Sequence, residues 1–231
     1  MSWFKPNVSA LLTKGDYQEL GKLLRHKEDN IRRASAEALL ALLQKECKRG
    51  PSSVPDQIRS QFRGLNDNDV IAVLMDAIEK LPMDVGTPYG RYLILTALSA
   101  GGARELIAFN KRIAPVLSDT QVRQGGWPNN ELSSSISYAL FEHAVARRFG
   151  IKELVDIIPY AVVNGDIGLD VSRLLEQSGV LTLPKEDITA IRERIAHLPP
   201  RAGGLKNCVT GYLGKEFLSK LKAAEDPKKE E

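Results

Sequence analysis

Two stretches of the chain carry the same helix-turn-helix pattern, with Ile31 in the first and Val70 in the second, 39 positions apart. In each, an apolar helix end (Leu23-Leu24, Phe62-Leu65) runs into a turn rich in Asp and Asn. A β-branched residue then opens a new helix. Apolar side chains follow at plus three, seven, eight and eleven: Ala34, Ala38, Leu39 and Leu42 after Ile31, then Val73, Ala77, Ile78 and Leu81 after Val70. That spacing places them on one helical face. A helical unit written twice at a fixed interval is the mark of a solenoid, in which each hairpin buries its apolar face only against its neighbours.

The rest of the chain supports helices and little else. Asp16 with Glu19 forms a capping box, and Asp29 or Asn30 caps the helix that ends near Arg49. The inward stripe of that helix is Ile31, Ala34, Ala38, Leu39 and Leu42, and its outward face carries Arg32, Arg33, Glu37 and Lys45. Further helices are predicted over 55–63, 68–81, 88–100 and 103–122, with Pro115 kinking the last, and then over 131–149, 151–163, 166–177, 184–198 and 207–223. Val180 to Leu183 reads as a short extended stretch. Gly125-Gly126-Trp127-Pro128 marks the clearest loop, 124–130, a candidate hinge. The expected architecture is all-α: stacked antiparallel helix pairs, about a dozen helices, in an α-α superhelix. One domain is expected over 1–224, with regular repeats at 7–81, degenerate ones at 88–198, a terminal helix at 207–223 and a frayed charged tail at 225–231.

The segment from Asn7 to Leu43 resembles a HEAT repeat of the short, PBS-lyase-like kind. The residues that carry the likeness are Gly15-Asp16, Leu20, Leu23-Leu24 and Asp29-Asn30-Ile31-Arg32-Arg33-Ala34. The second unit keeps the Asp turn and Val70 but has Ile71 where the arginine would stand. The resemblance implies an armadillo-like scaffold that binds other macromolecules along a concave helix face. It also implies that Arg32 bonds a carboxylate of the adjacent turn, Asp67 or Asp69, as a repeat-to-repeat ladder.

Chemistry is sparse. His26, His143 and His197 lie far apart with no metal-ligand spacing. No phosphate-binding glycine loop and no nucleophile elbow occur, and Ser133 to Ser135 read as polarity at a helix start. Cys47 and Cys208 form no CxxC, and Cys47 has no neighbouring base. No metal, cofactor or catalytic set is expected. The chain shows no leader and no apolar run of about 18 residues, so a soluble, cytoplasmic, reduced protein is expected.

Two groups of residues are candidates for partner contact. Trp127, flanked by Asn129 and Asn130, places a large aromatic where a turn needs none. Arg32, Arg33, Arg59 and Arg63 concentrate positive charge in the basic N-terminal part, where residues 1–63 hold 12 Lys or Arg against 7 Asp or Glu. Three function classes stay open: a non-enzymatic protein-binding scaffold, which leads; a nucleic-acid binder or glycosylase using Trp127 and Glu131; and a lyase-like factor handling a chromophore or cofactor, which needs an apolar cleft with a polar handle. A mixed-charge helix face favours protein as the partner, a strongly positive one nucleic acid.

Overall fold

The computed structural model describes residues 6–82, 87–113, 131–147, 179–196 and 212–226. Among these residues every regular element is helical: α1 (Val8–Lys14), α2 (Tyr17–Leu23), α3 (Asp29–Arg49), α4 (Val54–Gln61), α5 (Asn68–Glu79), α6 (Pro88–Ala100), α7 (Ala103–Ile113), α8 (Glu131–Arg147), a 3₁₀ turn (Val180–Thr182), α9 (Lys185–Ala196) and α10 (Tyr212–Glu225). Contacts divide the chain into two compact units, Met1–Leu106 and Ile107–Glu231.

The helix ends of the first unit follow from their caps. The Asn7 side chain accepts from the Ala10 amide, and Gly15 closes α1 in the left-handed region that glycine adopts without strain. Asp16 accepts from the Glu19 amide, one half of the expected capping box; the other half is not made, because the Asp16 amide donates to the Leu11 carbonyl and the Glu19 carboxylate pairs with Lys22. Asp67 and Thr87 cap α5 and α6 through their side chains. At α3 the expectation fails in detail. Its N-cap position is Glu28 and no side chain caps it. Asn30 instead accepts from the adjacent Ile31 amide, and the Asp29 carboxylate turns to Arg32 at 2.8 Å.

Helix α3 is the hub of this unit and packs against α1, α2, α4, α5 and α6. Its buried surface is therefore wider than the single stripe predicted. Ser35, Ala36, Leu40 and Leu43 join Ile31, Ala38, Leu39 and Leu42 in the core, whereas Ala34 is only half-buried. Between its two ends, what stays exposed is one strip: Arg33, Glu37, Ala41, Gln44, Lys45 and Lys48. Arg32 is not on it, because its side chain is only 15% exposed.

Two rows can be traced. Helices α2, α4 and α6 contact in sequence, and α3 contacts α5. Arg32 at the start of α3 meets Asp67 and Asp69 at the start of α5, so these two helices run the same way. The C-terminal end of α6 lies beside the start of α5, because Gly64 and Asn66 donate their amides to the carbonyls of Ser99 (2.8 Å) and Ala100 (2.9 Å). The rows therefore run antiparallel to each other. Between them lie Leu20, Leu39, Ile58, Phe62, Leu74, Ile78 and Leu93, all fully buried. At about 1.5–3 kcal/mol for each such side chain, this apolar seam outweighs any single polar contact in the unit. Two glycines allow close approach. A Cβ on Gly21 of α2 would overlap the Gln61 side chain of α4, and one on Gly101 would overlap Asn66 Oδ1.

In the second unit the part of α7 from Ile107 onward shares a buried polar network with α8. Asn110 Nδ2 donates to Ser137 Oγ (2.8 Å), Ser133 Oγ donates to Asn110 Oδ1 (2.6 Å), and Ser137 Oγ donates to the Ser133 carbonyl (2.8 Å). All three residues are fully buried. Ser133 is thus a core donor and not mere first-turn polarity. Elsewhere in this unit α9 packs on α10, with Ile188, Ile191 and Leu221 buried. Val180 to Thr182 is a 3₁₀ turn where an extended stretch was expected. Gly179 enters at φ 77°, Thr182 Oγ1 bonds back to the Gly179 carbonyl at 2.7 Å, and only Leu183 is extended. Glu225, expected at the start of a frayed tail, is the last residue of α10. It accepts from Thr189 Oγ1 (2.7 Å) and Arg192 Nε (2.9 Å).

Candidate functional site

The first candidate is the arginine group. Arg32 gathers three carboxylates from two helix starts: Asp29 at 2.8 Å, Asp67 at 2.9 Å and Asp69 at 3.3 Å. Its Nη1 also donates to the His26 carbonyl at 3.0 Å. The Arg32 Nε–Asp67 contact is ionic and not a directed hydrogen bond, for the N–H does not point at the oxygen. Arg33, more exposed, reaches Asp69 at 3.5 Å. Arg59 pairs within its own helix with Asp56 at 3.0 Å, and Arg63 is exposed just past the end of α4. The four arginines therefore divide. Arg32 and Arg33 join the start of α5, as the repeat-ladder reading expected of Arg32, while Arg59 lies on α4 and Arg63 in the turn after it. With three acidic neighbours, the Arg32 guanidinium is already engaged and is a poor receiver for a phosphate.

Trp127, Asn129 and Asn130 lie outside the described residues, as do His197, Cys208 and the predicted helices 151–163 and 166–177. Glu131 is the first residue of α8 and is exposed. His26 is half-buried, and its Nδ1 accepts from the Glu28 amide at 3.1 Å, a local turn role. Among the described residues no group of three His, Cys, Asp or Glu is placed to hold a metal, and no helix is long and apolar enough to cross a membrane.

The second candidate was not legible in the sequence. A cleft of about 530 Å³ opens where the C-terminal ends of α3 and α5 meet the first turn of α6. Its inner surface includes the half-buried Cys47, Ala77, Leu81 and Tyr89. Lys48 and Lys80 line it from exposed positions. Burial, and after it the neighbouring Glu46, pushes the Cys47 thiol up. Burial, and after it the nearby Cys47, pushes the Tyr89 phenol up. Both groups are accordingly neutral at neutral pH. Tyr92, one turn beyond Tyr89, is also raised, first by burial and then by Asp56. The residues come from three separated segments, each ordinary on its own, and the only trace in the sequence was a free cysteine in a polar helix end.

Comparison of the chain with protein-family models, with curated proteins and with solved structures returned no match. The class defined by the structure itself is that of an all-helical protein built from packed helix pairs.

Proposed function

We propose that this protein is a non-enzymatic scaffold whose first unit is a HEAT-like stack that binds another protein along the solvent face of α3 and α5. The observation that carries the reading is the charge pattern of that face. Helix α3 exposes Arg33, Glu37, Lys45 and Lys48, and α5 exposes Asp76, Glu79 and Lys80. Both signs are interspersed, with the small side chains of Ala41 and Ala72 among them. Such a face suits a protein partner, whereas a duplex demands a concentrated positive field. The engagement of Arg32 by carboxylates supports the same choice, since it removes the most favourably placed guanidinium from phosphate contact.

The test is site-specific photo-crosslinking in extract from the source cells. A photoreactive residue at Ala41 or Ala72 should yield a discrete protein adduct, and one at Ser60 on α4 should not. Glu37→Lys with Asp76→Lys should abolish the adduct. Equal labelling from Ser60, or tight duplex binding with a steep salt dependence, overturns the reading.

A further inference from the structure

We propose that the cleft at the ends of α3, α5 and α6 is a binding site for a small amphipathic anion, a carboxylate or sulfonate on an apolar body. In this arrangement Lys48 and Lys80 take the anion, and Ala77, Leu81 and Tyr89 enclose the body. The cleft shares Lys48 and Lys80 with the edge of the proposed protein-binding face, and its test reads a small ligand on the chain alone.

Three features support it. The volume of about 530 Å³ falls within the roughly 300–1,000 Å³ typical of sites for drug-sized ligands. The charge is complementary: Lys48 and Lys80 form no ion pair with a described residue, Glu46 near Lys48 is bonded to Arg49 at 2.6 Å, and Glu79, next to Lys80 in sequence, is not on the lining. With the thiol and phenol both protonated, no anionic group on the described lining opposes an incoming carboxylate. The first turn of α6, which carries no acidic residue, adds the positive end of a 13-residue helix at the same opening. An apolar inner surface with two lysines that meet no described acid selects a ligand with one charged end. It disfavours a neutral hydrocarbon, which would strip water from the lysines, and a polyanion, which would leave the apolar lining unfilled.

The experiment uses the full chain with 8-anilinonaphthalene-1-sulfonate as the fluorescent probe and octanoate as competitor. Saturable probe binding that octanoate displaces is expected. Saturating octanoate should slow iodoacetamide alkylation of Cys47 several-fold, which places the ligand in this cleft. Lys48→Ala with Lys80→Ala should weaken both ligands about tenfold, as loss of two favourable charges predicts, and Lys48→Arg with Lys80→Arg should retain them. Both lysines are exposed, so far-ultraviolet circular dichroism of the variants should match that of the parent. Absence of saturable binding at millimolar ligand overturns the proposal. So does affinity unchanged in the double alanine variant, or binding that leaves Cys47 alkylation unaltered.

Discussion

Replacing Arg32 tests whether the ion cluster between the starts of α3 and α5 holds the two hairpins in register. The guanidinium is 15% exposed, and its partners Asp67, Asp69 and Asp29 are 24%, 36% and 68% exposed. An exposed pair contributes about 0.2–1 kcal/mol, and breaking a fully buried one costs about 3–5 kcal/mol. The Arg32–Asp67 pair lies between these limits and nearer the first. The bond from Nη1 to the His26 carbonyl, with a charged donor, adds about 1.5 kcal/mol. Arg32→Met, which keeps the apolar stem, should therefore cost about 2–3 kcal/mol. Asp67 has a second role, since it caps α5 by accepting from the Val70 amide at 3.0 Å. Asp67→Asn keeps the cap and removes the charge, so it should cost about 1 kcal/mol, and Asp67→Ala about 1 kcal/mol more. In a double-mutant cycle of Arg32→Met and Asp67→Asn, read by urea unfolding followed at 222 nm, the coupling should be about 1 kcal/mol. It should fall only partly in molar salt, because the pair is half-shielded from solvent. A coupling below about 0.3 kcal/mol, the range expected of independent sites, would refute a joint role for these residues.

Gly101 holds φ 101° at the end of α6 and faces Asn66, so Gly101→Ala should cost about 2–3 kcal/mol from backbone strain and displacement of that side chain. A loss under 0.5 kcal/mol in the same assay would count against the close approach. Asn110→Ala removes the acceptor of the Ser133 hydroxyl and the donor to Ser137, and it should destabilise the second unit by about 2 kcal/mol, with faster amide exchange along α8. Unfolding free energy should decline with pH above the ordinary thiol range. Cys47, Tyr89 and Tyr92 have folded-state pKa values raised above the unfolded ones, so the native state retains protons that the unfolded chain releases. The stabilisation is complete below the unfolded values and is lost as pH rises through the folded ones. Cys47→Ala with Tyr89→Phe should flatten the slope between pH 8 and 10, and a stability that rises over that interval would show the sign to be wrong.

What was legible in the sequence was local or periodic. The cap at Asp16 follows from a side chain that satisfies an amide three residues on, and a single turn contains all that is needed to infer it. The Arg32 contacts with Asp67 and Asp69 were expected from the resemblance to a repeat family and not from any pattern local to Arg32. Contacts that depend on several elements at once were not. The width of the buried surface of α3 comes from five neighbouring helices, and no periodicity within α3 records how many will pack on it. Ser133 read as polarity at a helix start, yet it is buried and donates to Asn110 on another helix. The Cys47 cleft draws on residues near 47, 80 and 88, which only the completed first unit brings together. Val180 to Thr182 has β-branched residues at both ends, and the glycine at φ 77° before them decided the turn against strand propensity.

The two amides that cross from the α4–α5 connection to the last turn of α6 have a consequence for how the first unit comes apart. Gly64 and Asn66 sit in a connection that local chemistry alone would leave to water, yet their hydrogens are held by Ser99 and Ala100. Their exchange is therefore governed by the release of a helix more than thirty positions downstream. A chain cut after residue 82 would leave the α4–α5 connection unanchored and would also uncover the part of the seam that α6 packs against. In native-state exchange these two hydrogens should report the release of α6, and their protection should match that of the last turn of that helix.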